Sequence, residues 1–269
     1  MSEEIITSTA NPLVKRMRKL RSRKAREAEG AFLVEGIAQT RQALDHGAPL
    51  ELLFVAPELL SSAGAWQAIE DAEAAGTEVV RLGRAAFESI VERDHPSGLG
   101  AIAMIVDRPV SELSADNGFF VALHSVGNPG NLGSIVRTVD SAGGKGVVIL
   151  GDATDPWHPQ SMKASMGTLF SVPLCRARDF EDLLAWCLME DVDLVTTSAR
   201  ADTSFWDVTY REPTIFLFGS EAAGLPREMH EKASATVGMP MEGSASSLNL
   251  SVSVGVMLYE AKRQSRPKD

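Results

Sequence analysis

The stretch MEGSASSLNLSVSVGVMLYE, residues 241–260, runs from a half rich in serine and glycine into a half rich in valine and leucine. The first half alone is typical of a flexible linker. In the second half, four apolar side chains recur at the spacing of one helical face: Leu248, Val252, Val256 and Tyr259. Ser247 stands where a helix N-cap is expected, although the valines themselves favour a strand. We therefore interpret the stretch as a loop that leads into a helix over about 247–264.

The length and composition indicate a globular chain with two domains. It has 269 residues, of which 44% are hydrophobic and 23% charged, so each domain can bury a core. The sequence has no run of eighteen apolar residues and no basic-then-apolar leader, so we expect a cytoplasmic protein without a membrane partner. The two cysteines, Cys175 and Cys187, stand outside any CxxC, which argues against a disulfide framework or a structural zinc site.

Positive charge is concentrated near the N-terminus, although the net charge of the chain is -10. Residues 12–26, PLVKRMRKLRSRKAR, contain eight lysines and arginines and no acid. Asn11 and Pro12 predict an N-cap and a first helical position, starting a helix that extends to about Glu29. A basic helix on an acidic chain favours a polyanion partner, with a solvated basic helix as the alternative. The candidate RNA-binding residues are Lys15, Arg16, Arg18, Lys19 and Arg23.

Strand-like and helix-like segments alternate on both sides of a polar stretch. Over 1–106 the alternation predicts a small α/β domain. Residues 107–117 include a proline and lack periodicity, which predicts a linker. Over 118–269 the alternation predicts a parallel sheet covered by helices, with ligands bound where strands end and loops begin.

Three glycine-rich loops follow predicted strands in the second half: SVGNPGNLGSIVRT (125–138), FGSEAAGLP (218–226) and MPMEGSASSLN (239–249). None contains GxGxxG or GxxxxGK[ST], so the phosphate cradles of dinucleotide-binding enzymes and nucleotidases are missing. The sequence also offers no Ser/His/Asp or Cys/His arrangement and no metal-ligand spacing. These features disfavour a hydrolase and a metalloenzyme, and no metal is expected.

Four polar residues in these loops are candidates for a site. Asn131 can fix the first loop through hydrogen bonds to the backbone. Arg137 follows on the helix that this loop opens and can hold a phosphate, with a surface salt bridge as the alternative. Glu221 lies at the ligand end of the sheet, or caps the short helix that begins near Leu225. Asn249 is expected in the exposed first turn of the last helix.

Taken in order, these loops resemble the three motifs of the SpoU-TrmH (SPOUT) family of RNA ribose 2'-O-methyltransferases. The motifs are NPGNLGSIVRTVDSAG (128–143), LFGSEAAGLP (217–226) and MPMEGSASSLNLSVSVGVMLYEA (239–261). The segment HPQSMKASMGTLFSVPL (158–174) is similar to the family's connection between the first two. The resemblance covers 119–263. Residues 7–106 are similar, less specifically, to the ribosomal-protein-like RNA-binding domain that many members carry.

The resemblance implies an α/β trefoil-knot methyltransferase domain over 118–269, in which the last segment passes through a loop. S-adenosylmethionine would lie bent in the knotted loops of a homodimer, with the site at the subunit interface. The implied cofactor-binding residues are Thr197, Leu217, Gly219, Met239, Met241 and Leu248. The implied catalytic-site residues are Arg137, Glu221, Asn249, Asn131 and Ser247. Lys163 stands where the family often has a basic residue and joins the RNA-binding candidates.

The implied reaction is methyl transfer to a ribose 2'-hydroxyl of RNA. The ribosomal-protein-like domain favours 23S ribosomal RNA, with tRNA as the alternative and a non-catalytic RNA-binding or ribosome-assembly protein as a further one. Because arginine stays protonated, a phosphate clamp is the easier role for Arg137. The proton acceptor is then the RNA phosphate, a water or Glu221.

Overall fold

A computed structural model describes residues 5–92, 96–151 and 154–266, which form two compact units. The first unit comprises the chain up to Val106 together with Asp155–Ser171, and the second comprises Asp107–Thr154 and Val172 onward. None of the described helices combines the length and the apolar character that crossing a membrane requires.

The first unit contains a five-stranded mixed sheet with the strand order β1-β4-β3-β5-β2. Strand β5 runs antiparallel to both of its neighbours, and the remaining pairs are parallel. The strands are β1 (Ile5–Ile6), β2 (Ala31–Glu35), β3 (Leu50–Val55), β4 (Glu78–Leu82) and β5 (Leu99–Met104). In chain-order numbering, the helices are α1 (Pro12–Lys19), α2 (Arg23–Glu29), α3 (Ile37–Asp45), α4 (Ala63–Ala74), α5 (Arg84–Glu88) and α7 (Pro159–Ser165).

The predicted single basic helix is two helices. Asn11 caps α1 as predicted, because its side chain accepts a hydrogen bond from the Leu13 N–H. The chain then turns after Lys19, and the Ser22 side chain accepts from the Ala25 N–H to start α2. A serine cap competes with helix continuation, since it satisfies a backbone donor only where the chain has left the helix. The expectation of one helix to Glu29 is therefore wrong at this turn.

The second unit contains a six-stranded parallel sheet with the strand order β11-β9-β10-β6-β7-β8. The strands are β6 (Phe119–His124), β7 (Gly146–Leu150), β8 (Leu174–Arg176), β9 (Asp193–Thr197), β10 (Thr214–Phe218) and β11 (Ala235–Val237). The helices are α6 (Pro129–Ala142), α8 (Phe180–Met189), α9 (Arg227–Glu231) and α10 (Leu250–Ser265). The central strand β10 is buried along its whole length, as an all-apolar strand between two covered faces should be.

Two segments differ from the predicted domain boundaries. Residues 107–117, predicted to be a linker, belong to the second unit: Val110 and Leu113 are buried, and the Trp186 indole donates a hydrogen bond to the Leu113 carbonyl. Residues 155–171 pack with the first unit instead of the second. Phe32 stacks on Trp157, with 4.6 Å between ring centroids, and this aromatic contact is one of those that join the segment to the first unit.

The last helix begins later than predicted and is capped by a different residue. Asn249 is its N-cap and accepts from the Ser251 N–H at 3.0 Å, so the expectation that Ser247 caps the helix is wrong. The buried face of α10 is Leu250, Val254, Met257, Leu258 and Ala261. The residues whose spacing predicted the helix are exposed: Leu248 in the preceding loop, and Val252, Val256 and Tyr259 on the helix.

Candidate functional site

The loops that follow β6 and β10 begin side by side. These two strands are parallel neighbours, and the register pairs Phe218 with Leu123 near their carboxyl ends. After β10 the chain folds tightly back, because a β-carbon on Gly219 would lie only 2.2 Å from the carbonyl carbon of Gly224. Glycine is therefore required for this backbone approach. The arrangement brings the first and second glycine-rich loops to one edge of the sheet, as predicted.

Asn131 connects all three loops through its side-chain amide. Its Nδ2 donates to Glu221 Oε1 at 2.6 Å, and its Oδ1 accepts from Asn249 Nδ2 at 3.1 Å. We call Asn131, Glu221 and Asn249 the amide–carboxylate network. Glu221 is 90 residues and Asn249 is 118 residues from Asn131 in the chain, yet the Asn131 amide contacts both side chains.

Helix caps hold the two asparagines of the network in place. Asn128 Oδ1 accepts from the backbone N–H groups of Gly130 and Asn131, which fixes the first turn of α6. Asn249 Oδ1 accepts from the N–H and the hydroxyl of Ser251, at 3.0 and 2.7 Å. Each asparagine side chain therefore projects from a capped helix start, which limits the rotamers it can adopt.

Glu221 is a member of this network and not a helix cap. Helix α9 starts at Arg227, and its N-cap residue, Pro226, has no side-chain capping hydrogen bond. The alternative role considered for Glu221 is therefore wrong. A carboxylate held by an amide donor at the carboxyl end of a sheet can orient a hydroxyl group or accept its proton.

Of the predicted cofactor-binding residues, Thr197 and Leu217 lie next to each other. The Thr197 hydroxyl donates to the Leu217 carbonyl at 3.1 Å, across the adjacent strands β9 and β10. The third loop starts at the same edge, because a β-carbon on Gly238 would lie 2.9 Å from the Ser198 carbonyl oxygen. The loop then presents three apolar side chains that are only partly covered: Met239, Met241 and Leu248.

Arg137 and Ser247 do not contact the amide–carboxylate network. Arg137 is exposed on α6, six residues after Asn131, so the two side chains point about 120° apart around the helix. No side chain in the described part of the chain forms an ion pair with the Arg137 guanidinium. Ser247 is exposed in the loop before Asn249. The role of Asn249 as a cap was missed, although asparagine ranks among the best N-cap residues.

The RNA-binding candidates of the first unit differ in whether their charges are paired with other groups of the chain. Lys15 and Lys19 are exposed on α1, and Lys163 is exposed on α7. In contrast, Arg16 bonds Glu51 and Glu29, which raises the pKa of Arg16 and lowers that of Glu51.

Two further candidates are also engaged within the first unit. Arg18 donates to the Thr9 carbonyl, and Arg23 forms an ion pair with Glu27. The expected basic face is therefore partly neutralised by neighbouring carboxylates.

Both cysteines are buried thiols. Burial raises the pKa of Cys175 to about 11 and that of Cys187 to about 12, so both thiols are protonated at neutral pH. Within the described ranges, no three His, Cys, Asp or Glu side chains are grouped as a metal site would need.

Comparisons with known proteins match both units. Residues 118–259 match the model of the SpoU rRNA Methylase family, and residues 11–101 match an MRM3-like substrate binding domain. A 23S rRNA (uridine(2479)-2'-O)-methyltransferase of Streptomyces viridochromogenes is 31% identical over 255 residues, which are 91% of this chain and 87% of that protein.

Two solved structures are similar to this chain over nearly its full length. The AdoMet-bound rRNA methyltransferase of Sinorhizobium meliloti is 32% identical with a TM-score of 0.90, over 98% of this chain and 99% of that one. The SpoU methyltransferase AviRb of Streptomyces viridochromogenes, in complex with AdoMet, is 28% identical with a TM-score of 0.85, over 94% and 98%.

Proposed function

The chain belongs to the SpoU rRNA Methylase family, and from this premise we propose that it transfers a methyl group from S-adenosylmethionine to a ribose 2'-hydroxyl of RNA. The observation that carries the proposal is the amide–carboxylate network. Asn131, Glu221 and Asn249 join three loops at the carboxyl edge of a parallel sheet, where open α/β sheets bind their ligands.

The proposed cofactor position uses the loops beside Thr197. Gly219 allows the close backbone approach to Gly224 that shapes this loop, and Leu217 lies one residue before the end of β10, the strand that leads into the loop. Met239, Met241 and Leu248 supply partly exposed apolar surface of the kind that lines small-molecule sites. When bound, S-adenosylmethionine supplies the methyl group on its sulfonium.

The residues of the chain then position the RNA and manage its proton. Methyl transfer needs the ribose hydroxyl oxygen in line with the methyl carbon and an acceptor for the hydroxyl proton. Asn131 holds the Glu221 carboxylate through a hydrogen bond, and in this proposal Glu221 bonds that hydroxyl. Arg137 carries a permanent positive charge that suits a phosphate clamp. The acceptor is Glu221, the RNA phosphate or a water.

For the substrate we propose 23S ribosomal RNA, with tRNA as the second candidate. Three relatives carry names that state methylation of 23S rRNA, and the N-terminal residues match a substrate-binding domain. The exposed lysines of the first unit supply charge for the RNA backbone.

The function is tested by incubating the protein with methyl-labelled S-adenosylmethionine and either 23S rRNA or total tRNA. We expect label in 23S rRNA. Label in tRNA alone would support the second candidate, and RNA binding without label on either RNA would support a non-catalytic protein of the same fold.

We also propose that the protein is a homodimer. Three side chains on one face of α10 are exposed by 49%, 37% and 56%, respectively Val252, Val256 and Tyr259. Apolar side chains aligned on one helix face favour burial against a second protein surface. Helix α10 packs on α6, the helix that carries Arg137, so a second copy on this surface would lie close to the elements of the candidate site.

Light scattering of the double variant Val256→Asp and Tyr259→Asp tests the dimer. We expect a dimeric parent protein and a monomeric variant, because two buried carboxylates without partners oppose association. Leu188→Asp, at a position exposed by 82% on α8, serves as the control and should remain dimeric. A monomeric parent protein, or a double variant that stays dimeric, would refute the interface.

A further inference from the structure

The first unit contains a cleft of about 190 Å³ whose walls are largely apolar. Leu33 of β2 and Phe54 of β3 lie on one side, with Ile90 and Val91 after α5 and Met162 on α7. Four of these five side chains are buried, and Leu33 is partly exposed. The cleft is therefore built into the packed core of the unit and does not depend on a loose surface loop.

The volume of the cleft limits what can occupy it. An apolar cavity of about 150 Å³ is sufficient to bind benzene, whereas sites for drug-sized ligands occupy roughly 300–1,000 Å³. The cleft is thus large enough for a single aromatic ring system and too small for a complete nucleotide cofactor.

Polar groups of both signs border the apolar walls. Arg21 donates from its NH2 group to the Val91 carbonyl at 2.6 Å, which holds the guanidinium at the cleft. Its buried Nε has no hydrogen-bond partner in the described part of the chain and forms an ion pair with Glu92 Oε1 at 3.7 Å. Lys163 borders the cleft from α7 and is exposed. The polar lining of the cleft thus includes two cations, Arg21 and Lys163, and two carboxylates, Glu35 and Glu92.

These properties match an unpaired nucleobase. Each base has apolar faces and an edge that carries both hydrogen-bond acceptors and donors, which suit Arg21 and Glu92 respectively. Proteins recognise RNA sequence mostly by accepting splayed-out bases of loops and ends between apolar or planar side chains. Lys163 adds a cation for the attached phosphate. Arg21 also lies in the turn between the basic helices α1 and α2, so this lining residue is close in sequence to the exposed lysines.

We propose that this cleft holds one unpaired base of the RNA substrate, a second contact point separate from the methylated ribose. This inference rests on the proposed RNA methyltransferase function and extends it to the way the first unit selects its RNA. Because the cleft accepts one base, the proposal predicts a preference for RNA that has an unpaired base in addition to the methylated nucleotide.

The proposal is tested by NMR of the full-length protein labelled at Ile, Leu, Val and Met methyl groups. The probes are the four 5'-mononucleotides, with ribose 5-phosphate as the phosphate control. At least one nucleotide should shift the methyl signals of Ile90, Val91 and Met162 saturably, since ring currents act over short distances. The signals of Leu188 and Met189, which are more than 80% exposed in the second unit, should not move.

Shifts from none of the four nucleotides, or equal shifts from ribose 5-phosphate, would overturn the base site. S-adenosylmethionine is titrated into the same sample and should shift Met239 and Met241. A failure of the base site leaves these cofactor shifts intact, whereas a failure of the proposed function removes them, so the two results can be told apart.

Filling the cleft provides a functional test. Val91→Trp should raise the KM for 23S rRNA at least about fivefold and leave kcat unchanged, as expected when the stacking of one base is lost. Leu188→Trp adds the same side chain to an exposed helix position and should leave KM unchanged. If Val91→Trp does not fold, Glu92→Gln removes the acceptor charge and should weaken the nucleotide shifts. An unchanged KM in a folded Val91→Trp would contradict the proposal.

Discussion

At the scale of single residues, the candidate site depends on the geometry of one side-chain amide. The Asn131 side-chain nitrogen donates to Glu221 and its oxygen accepts from Asn249, so both polar atoms of the amide are hydrogen-bonded. An aspartate at this position could not donate to Glu221, and an alanine would leave both partners without their bond. The same amide thus fixes the direction of the carboxylate and the separation of two loops.

We expect Asn131→Ala to lower kcat by about 10²-fold, because misplacing catalytic groups by about 1 Å has that order of effect. Affinity for S-adenosylmethionine should change little, since Asn131 lies outside the predicted cofactor residues. Single-turnover kinetics and calorimetry measure the two quantities. Asn117→Ala, an exposed asparagine of the same unit, is the matched control. An Asn131→Ala enzyme with unchanged kcat would exclude a positioning role.

Arg137 gives a second expectation at this scale. Arg137→Ala should abolish methylation while the cofactor affinity stays nearly constant, because a phosphate clamp contacts RNA and not S-adenosylmethionine. Arg227→Ala removes an arginine that is more than 90% exposed on α9 and should retain activity. Loss of cofactor binding in Arg137→Ala would contradict the clamp role.

At the scale of elements, the start of the chain is organised by a buried ion pair that its local sequence does not reveal. Arg26 belongs to the basic stretch, yet its side chain is 1% exposed and bonds Asp155 through Nε at 2.8 Å. The same guanidinium donates to the carbonyls of Leu20 and Arg21, in the turn that separates α1 from α2. The partner is 129 residues away, so no local pattern could predict the pair.

Arg26→Ala should destabilise the protein by about 3–5 kcal/mol, because it leaves the Asp155 carboxylate buried without its cation. Urea unfolding, followed by a spectroscopic signal from the first unit, measures the loss in the free energy of unfolding. Arg23→Ala removes the exposed pair with Glu27 and should cost at most about 1 kcal/mol. Equal effects from the two substitutions would show that burial of the Arg26 pair does not matter.

Helix α10 shows what the spacing of apolar residues can and cannot predict. The apolar residues of the sequence form two stripes, and the one whose spacing predicted the helix is exposed. Spacing identifies a helix but cannot say which of two apolar faces packs on α6. Gly255 marks the true contact, since a β-carbon there would lie 3.4 Å from the Thr138 methyl group. That small residue was the available signal.

At the scale of the whole molecule, the parallel sheet and the loops at its edge were predictable, and the packing of distant segments was not. Alternating strands and helices over 118–269 predicted the six-stranded sheet, apart from the short strand β8. The three loops were placed together by their positions after strands. The packing of residues 155–171 with the first unit depends on contacts such as that of Phe32 with Trp157, which have no local signature. The threading of the last segment through a knot stays a prediction.

The uneven charge of the first unit predicts a specific salt dependence of RNA binding. Replacing Lys15 and Lys19 by glutamine should reduce the slope of log K against log salt by about 1.4–1.8, because each phosphate contact contributes about 0.7–0.9. Arg23→Gln should change the slope much less, since Glu27 already neutralises that charge. Filter binding over a range of salt concentrations measures both. Identical slopes for the parent and the double variant would show that α1 does not contact RNA.

The most direct test of the central claim is the chemical identity of the methylated product. 23S rRNA labelled by the protein and S-adenosylmethionine is digested to nucleosides and analysed by mass spectrometry, with alkaline hydrolysis in parallel. A 2'-O-methyl group removes the hydroxyl that alkaline cleavage requires, so the labelled linkage should resist alkali. The digestion to nucleosides should yield a labelled 2'-O-methyl nucleoside. Label on a base, or in alkali-sensitive RNA, would contradict a ribose methyltransferase.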